Sequence, residues 1–477
     1  MNKLQDVGNY AKYFTELLGK ENVIIPGPSG ENVQDYLKDM ADYSSEPLLV
    51  LRPGAIDEVS KIVSFANENK IPIIARGAGT SLTGATSSHG GIVIDFGKRM
   101  NRIIKIDTIN WYAHCEAGVV LEDLNDELKK KGFFFPPDPA SSAWCTVGGA
   151  IAENSGGMRC FKYGTVEDWV LSVKVVLADG SVAKFGEPLP KNRVGYDFMH
   201  LVCGSEGTLA LVSEAWLKIT PLPKKTEDHK RLLVFFDDWL SAGRAIQRIR
   251  ENRIQPVLLE FIDGQTVHAV NSSFDLGIPE HDAILFIETD SGVDEIIKIC
   301  DGSGSSGSYV AKDEADEERL YNARVLNYLA VRSFGMAVHT EDVVVPIDRL
   351  VDYLEFVKSV SKKYGLRIPT GGHAGDGNVH PGILYDSSSE KSRRDAASAF
   401  ADICNYAIEV GGSVTGEHGV GEQKITFAES QLLRSNGRAA LDLMRDLKKK
   451  WDPNNILNPG KFLRLEDSDK ITDKTIV

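Results

Sequence analysis

Apolar residues between positions 57 and 69 fall on one face of a 3.6-residue repeat, at Val59, Ile62, Val63 and Ala66, which predicts an amphipathic helix. The apolar run Ile71 to Ala75 follows as a buried strand, and further strand patterns recur at Gly91 to Asp95 and Ile103 to Asp107. Leu121 to Lys131 returns to helical spacing and is closed by Gly132. These elements form one α/β domain that runs to about Pro223. A polar, proline-bearing linker follows in Pro221-Leu-Pro-Lys-Lys-Thr-Glu-Asp.

Beyond the linker the pattern restarts. Strands are predicted at Leu232 to Phe236, Val257 to Ile262, Ala283 to Thr289 and Tyr309 to Ala311, with helices at Leu240 to Arg250 and Val293 to Cys300. Strand, helix, strand, strand, helix, strand is the order of a ferredoxin-like sandwich. The fold class is therefore α+β, and no internal sequence repeat is found.

At 477 residues the chain is long enough for two or more cores. No apolar run approaches the ~20 residues of a membrane span, and the N-terminus turns polar too early for a secretory signal, so a cytoplasmic protein is expected. A net charge of −14 repels phosphate backbones and argues against nucleic-acid binding. The six cysteines contain no Cys-x-x-Cys pair. Electrons, if this chain moves them, must therefore leave to something else.

Three loops are rich in small residues. The first, Arg76-Gly77-Ala78-Gly79-Thr80-Ser81-Leu82-Thr83-Gly84, lets backbone N–H groups approach a pyrophosphate. It is not a nicotinamide fingerprint, because Leu82 stands where the third glycine belongs and a poor helix former follows. The second joins Pro136-Pro137-Asp138-Pro139-Ala140-Ser141 to Gly148-Gly149-Ala-Ile-Ala-Glu-Asn154-Ser-Gly156-Gly157, and its small side chains leave room for something flat. The third is Gly204-Ser205-Glu206-Gly207-Thr208-Leu209.

With Lys162-Tyr163-Gly164, Val176 to Gly180, Gly371 to His380, Thr415 to Gly421 and Asn458 to Lys461, these segments resemble the FAD-linked oxidases of the vanillyl-alcohol oxidase superfamily. The likeness is to the branch of D-lactate dehydrogenases and glycolate oxidase flavoprotein subunits. It implies a two-part PCMH-type FAD-binding domain over 1–223 and a ferredoxin-like substrate, or cap, domain over 224–455. A helical C-terminal segment, 456–477, would then return to the first domain. It also implies non-covalent FAD, with the pyrophosphate on Gly77 to Ser81 and flavin contacts from Pro137, Ser141, Gly148, Gly149, Asn154, Gly156, Gly207 and Asn458. Arg76, Gly84, Asp138, Gly157, Gly164 and Glu206 complete the expected cofactor set.

Gly371-Gly-His373-Ala-Gly-Asp376-Gly-Asn378-Val-His380 places two imidazoles around a flexible turn, and Gly416-Glu417-His418-Gly419 adds a carboxylate and a third imidazole. These residues by themselves leave two readings open, a divalent metal site or histidines hydrogen-bonded in turns. The resemblance implies the first, with His373, His380 and Glu417 binding zinc or manganese and His418 as the base. It assigns Arg324 to the substrate carboxylate, while Asn378 would orient substrate or a metal ligand. Relatives that oxidise 2-hydroxyglutarate carry a lysine before the strand leading to Pro346. Val338 to Pro346 has none, which favours a monocarboxylate such as D-lactate or glycolate. The expected reaction is hydride transfer from the hydroxy acid to flavin N5, followed by delivery to an iron–sulfur subunit, an electron-transfer flavoprotein or a quinone. A homodimer is compatible with this. The alternatives are D-2-hydroxyglutarate dehydrogenation and alkyl transfer of the ether-lipid synthase kind.

Overall fold

The computed structural model describes residues 3–27, 33–41, 44–224 and 227–466, with the side chains of 3–6 excepted. Lys225 and Thr226 of the expected linker, and 467–477 of the expected C-terminal segment, lie outside the described residues. The chain divides into two compact units. The first comprises the described residues of Met1–Gly156, Thr165–Leu222 and Glu417–Ile471, and the second comprises Gly157–Gly164 and Pro223–Gly416. The change of unit at Leu222 falls beside the expected boundary. The return to the first unit starts at Glu417, well before the expected 456, because the helices Ile425–Ser435 and Arg438–Trp451 pack with the first unit.

Two sheets build the first unit. The smaller has spatial order Val23–Ile24, Leu49–Leu51, Ile92–Asp95, Ile73–Arg76, and its last three strands run parallel. The helix Ile56–Asn69 forms as its periodicity predicts, with Val59, Ile62, Val63 and Ala66 fully buried. It ends where Lys70 turns left-handed at φ 53° and its N–H caps the last carbonyls. The larger sheet is antiparallel, in the order Ile103–Asp107, Tyr112–Glu116, Leu211–Lys218, Val170–Val176, Val182–Gly186. Thr146 opens the helix Val147–Glu153 by accepting the Gly149 N–H. The loops Gly77 to Gly84 and Gly204 to Leu209 form turns and bends rather than regular elements, whereas Gly148 to Glu153 of the second loop lies within this helix.

The second unit contains the expected ferredoxin-like order. Gly307–Val310, Lys230–Phe236, Ala283–Thr289 and Leu258–Asp263 lie side by side, so the four strands stand fourth, first, third, second. The helix Gly264–Phe274, capped by Asp263 on the Thr266 N–H, is an insertion that the sequence pattern did not reveal. Leu233, Phe235, Leu258, Ile262, Ile284 and Phe286 form the core with Val267 and Val270 from that helix. Each such side chain contributes roughly 1.5–3 kcal/mol by leaving water.

A second half repeats this arrangement. Val343–Val344, the helix Leu350–Tyr364, Thr370–Gly372, Asn378–Tyr385 and the helix Glu390–Glu409 succeed one another, and Ser413 bridges back to Val344. Ser413, Val343–Val344, Asn378–Tyr385 and Thr370–Gly372 are neighbours in that order, again fourth, first, third, second. The halves join through their second strands, with Phe261 opposite Gly372 and Ile262 opposite Gly371. The unit is thus an internal structural duplication.

His339, in the strand Ala337–Thr340, stacks on Tyr385 at 4.5 Å and meets Phe400 edge-on. Burial pushes its pKa down to about 4, so the ring is neutral in the fold while an unfolded histidine titrates near 6.5. The stability this gives is present above pH 6.5 and is lost as pH falls from there to about 4, amounting to roughly 3 kcal/mol. His339→Phe is expected to flatten that acid limb in urea melts at pH 7.5 and pH 4. Equal acid sensitivity in both proteins would refute this.

No helix among the described residues is long and apolar enough to cross a membrane.

Candidate active site

In the first unit, five of the residues expected at the cofactor line one cleft: Arg76, Gly77, Gly148, Gly149 and Gly207, together with Phe96, Ala117, Thr146 and Ser205. Sequence placed these residues on three separate loops, and the two sheets bring the loops together. A Cβ on Gly207 would meet nothing within 4 Å, and one on Gly149 would meet only Thr146 Oγ1 at 3.3 Å, so both positions open onto space that a flat group can fill. Gly77 is glycine for another reason, because a Cβ there would overlap the Thr146 hydroxyl. Gly77→Val is expected to displace that helix cap, at about 1–3 kcal/mol of overpacking, and to weaken FAD binding about tenfold or more. The check is FAD titration by fluorescence quenching, and unchanged affinity would show that the loop does not touch the cofactor.

Several expected cofactor residues, Arg76 among them, also serve as structural ties. The Arg76 guanidinium donates to the Asp35 and Lys38 carbonyls at 2.6 and 2.8 Å and fills the space beside Gly79. The Ser81 hydroxyl accepts from the N–H groups of Thr83 and Ala85, which shapes the turn through Gly84. The Ser141 carbonyl accepts from Trp144 and Cys145, and the preceding Pro137 and Asp138 are buried. Asn154 closes its helix in the left-handed region, and its side chain accepts the Glu167 N–H before Gly156. Gly157 and Gly164 bound the short excursion that belongs to the second unit.

Glu206 also faces inward. Its carboxylate accepts the N–H groups of Val420 and Gly421 at 2.6 and 2.8 Å, which fastens the segment after His418. Burial raises its pKa to about 7 against the lowering effect of those two bonds. Burial and the nearby Glu206 likewise push Glu153 well above the carboxylate range. Asn458 donates to the Ala85 and Glu206 carbonyls at 2.9 and 2.7 Å, while its Oδ1 is buried without a hydrogen-bond partner. A buried acceptor left over at the meeting point of the glycine loops suits a ligand donor. Together with the open glycine positions, it fits the residues present to FAD.

In the second unit the two histidines of the Gly-Asp-Gly turn do converge. The rings of His373 and His380 lie 5.2 Å apart, nearly perpendicular. His373 Nδ1 faces both oxygens of Glu260 at 2.9 Å and lies 3.4 Å from Arg324 Nη2. Arg324 donates from Nε to the same carboxylate at 2.6 Å. Glu260 is fully buried. Burial alone would disfavour its charge, but the positive fields of His373 and Arg324 outweigh that and hold it below the usual carboxylate range.

His380 Nδ1 stands 3.7 Å from Asp342 Oδ1. Asp342 in turn accepts from Asn378 Nδ2, the Thr415 hydroxyl and the Gly416 N–H, all within 2.8 Å. Asn378, which also donates to the Val343 carbonyl, therefore orients Asp342. Carboxylates behind imidazoles are the second layer that metal-binding histidines use to fix their tautomer, so the donor set fits a divalent ion. Glu417 and His418 follow Gly416 directly in the chain and belong to the first unit, with His418 Nε2 3.8 Å from Glu417 Oε1. His339 takes no part, being stacked on Tyr385.

Sequence reasoning missed Glu260 and Asp342 as site residues. For Glu260 a signal existed, since it is a carboxylate set between apolar neighbours in the middle of the strand Leu258–Asp263, where a charge demands a partner.

Residues 47–186 match the FAD binding domain family, and residues 225–462 match the family of FAD linked oxidases, C-terminal domain. The chain is 38% identical to the glycolate oxidase subunit GlcD of Bacillus subtilis strain 168, over 88% of this chain and 90% of that one. The chain belongs to the FAD-linked oxidases. This FAD-linked oxidase is also 34% identical to a D-lactate dehydrogenase of Archaeoglobus fulgidus, over 89% and 93% of the two chains. Among solved structures, its fold matches p-cresol methylhydroxylase with a TM-score of 0.75 at 18% identity, covering 96% and 97%. The oxidase thus has the vanillyl-alcohol oxidase fold, with a PCMH-type FAD-binding unit, and is an FAD-linked oxidoreductase.

Proposed function

We propose that this oxidase converts a small D-2-hydroxy monocarboxylic acid, of the lactate or glycolate kind, to its 2-oxo acid. The observation that carries the reading is the His373 and His380 pair braced by buried carboxylates, on a chain whose relatives are named glycolate oxidase subunit and D-lactate dehydrogenase. FAD is held without a covalent link by the residues of the glycine-loop cleft, and zinc or manganese by His373, His380 and Glu417. The chemistry supplied by these groups when bound is hydride acceptance at flavin N5 and Lewis-acid polarisation of the substrate hydroxyl.

The residues of the chain do the rest. His418 takes the hydroxyl proton on its imidazole, a role typically worth about 10²–10⁴-fold in rate. Arg324 keeps Nε on Glu260, and the outer edge of its fork, whose Nη2 also lies 3.4 Å from His373 Nδ1, meets the substrate carboxylate. Glu260 fixes the tautomer of His373, while Asp342, ordered by Asn378, holds the ring of His380. The same reading assigns a cytoplasmic enzyme that discharges to a separate electron acceptor.

The test is an anaerobic visible spectrum of the holoenzyme with D-lactate, glycolate, L-lactate and D-2-hydroxyglutarate added in turn. Bleaching by D-lactate or glycolate is the expected outcome, and dialysis against a chelator should abolish it until zinc or manganese is restored. His418→Ala should keep its flavin and bleach about 10²–10⁴-fold more slowly. Bleaching by 2-hydroxyglutarate alone would move the substrate to a dicarboxylate. A bound flavin that none of the acids bleaches would overturn the reading.

A further inference from the structure

We propose that residues 189–201 of the first unit form the docking face for an acidic electron-carrier protein that reoxidises the flavin. The proposal rests on membership of the FAD-linked oxidases and not on which hydroxy acid is the substrate. Across this stretch Leu189 is 55% exposed, Val194 91%, Tyr196 89% and Leu201 42%. Isolated apolar side chains on a surface need no explanation, but several within one short loop mark an interaction site. An aromatic residue beside an arginine is also the composition of interface hot spots.

Two observations select the partner. The first is charge. Lys191 and Arg193 precede the exposed Val194 on a chain whose net charge is −14. Glu187 pairs with Lys184, and Asp197 bonds to His200 and feels the field of Arg193, so the stretch from Lys184 to Leu201, with three basic and two acidic residues, keeps one excess positive charge. A locally positive, apolar patch on an otherwise acidic protein steers an acidic partner to that place. The second is position. Asp197 caps the helix Phe198–Val202, and Val202 lines the glycine-loop cleft beside Ser205 and Gly207. Two extended residues and four helical rises bring Tyr196 within roughly 13 Å of Val202 along the chain. The chain carries no Cys-x-x-Cys cluster and no nicotinamide fingerprint, so its reduced flavin must hand electrons to another molecule. In that step one reduced flavin gives one electron to each of two oxidised carriers and releases two protons to water.

The experiment uses FAD-loaded enzyme whose flavin is photoreduced anaerobically, so its result is independent of the substrate. Plastocyanin serves as the acidic one-electron acceptor, cytochrome c as the basic one, and dichlorophenolindophenol as a small acceptor that needs no docking. In stopped flow, V194S/Y196S and K191E/R193E should each reduce plastocyanin about tenfold more slowly than wild type, with dye reduction unchanged. K191E/R193E should also reduce cytochrome c faster. Plastocyanin rates within about twofold of wild type in both variants would overturn the proposal. Sedimentation showing a wild-type dimer that dissociates in V194S/Y196S, with plastocyanin rates unaltered, would assign the face to a second copy instead and would also overturn it.

Discussion

Glu260→Ala is expected to lower the unfolding free energy by about 3–5 kcal/mol, the usual result of removing one partner of a buried ion pair. The carboxylate is wholly buried on the strand Leu258–Asp263, with Arg324 Nε at 2.6 Å and His373 Nδ1 at 2.9 Å. Its removal leaves the Arg324 guanidinium, itself 7% exposed, buried without its carboxylate partner. Urea unfolding at pH 7 measures the loss directly. Glu260→Gln keeps the shape and one acceptor and should fall between wild type and alanine, while weakening zinc binding by about 10–100-fold through the loosened His373 ring. Because the folded pKa of Glu260 lies below its ordinary value, its contribution is present above the carboxylate range and is lost as pH falls through the folded value. The difference between wild type and Glu260→Gln should therefore shrink in acid. A loss under about 1 kcal/mol in Glu260→Ala would mean that Arg324 finds another partner, and the cluster would lose its claim to rigidity.

The second large effect is expected at Lys448. Its ammonium is buried and donates to the Thr208 carbonyl at 2.8 Å, the Leu457 carbonyl at 2.8 Å and Asp452 Oδ2 at 2.5 Å. Asp452 in turn accepts the N–H groups of Ile456 and Leu457. One side chain thus ties the C-terminal helix to the Gly204–Leu209 loop and to the turn that carries Asn458. Burial lowers the pKa of Lys448 and Asp452 opposes that lowering. Lys448→Met should cost about 3–5 kcal/mol, since it leaves Asp452 buried and unpaired. Flavin should be lost in parallel, because both loops it holds meet at the cleft. The double variant K448M/D452N is expected to recover part of the stability, since removing the second charge relieves the first defect. A double variant no more stable than Lys448→Met would show that the helix tie, rather than the stranded charge, accounts for the loss.

Legibility varied with the range of the interactions involved. The helix Ile56–Asn69 and the alternating elements of the first ferredoxin-like half were readable because their apolar positions repeat at helical or strand spacing. The helix Gly264–Phe274 was not, since only Thr266, Val267, Ala269 and Val270 are buried and its polar end, Asn271-Ser-Ser, reads as a turn. The second ferredoxin-like half escaped notice for a related reason. Its first strand is only Val343–Val344 and its fourth is a single bridge at Ser413, too short for any periodicity to register.

The same division holds for chemistry. Sequence by itself determined the α+β class, the glycine loops and the identity of the histidines, because these depend on local sterics: which residues permit close backbone approach, and which can donate to a metal. Tertiary structure alone set Glu260 against His373 and placed Asp342, which accepts from Asn378, 3.7 Å from His380. It also turned Arg76 and Glu206 into ties within the fold and brought the chain back to the first unit at Glu417. Each of these is a pairing across a long stretch of sequence, made obligatory by the cost of burying a charge or a polar atom without a partner. That cost acts only once the chain has folded, so no local pattern records it.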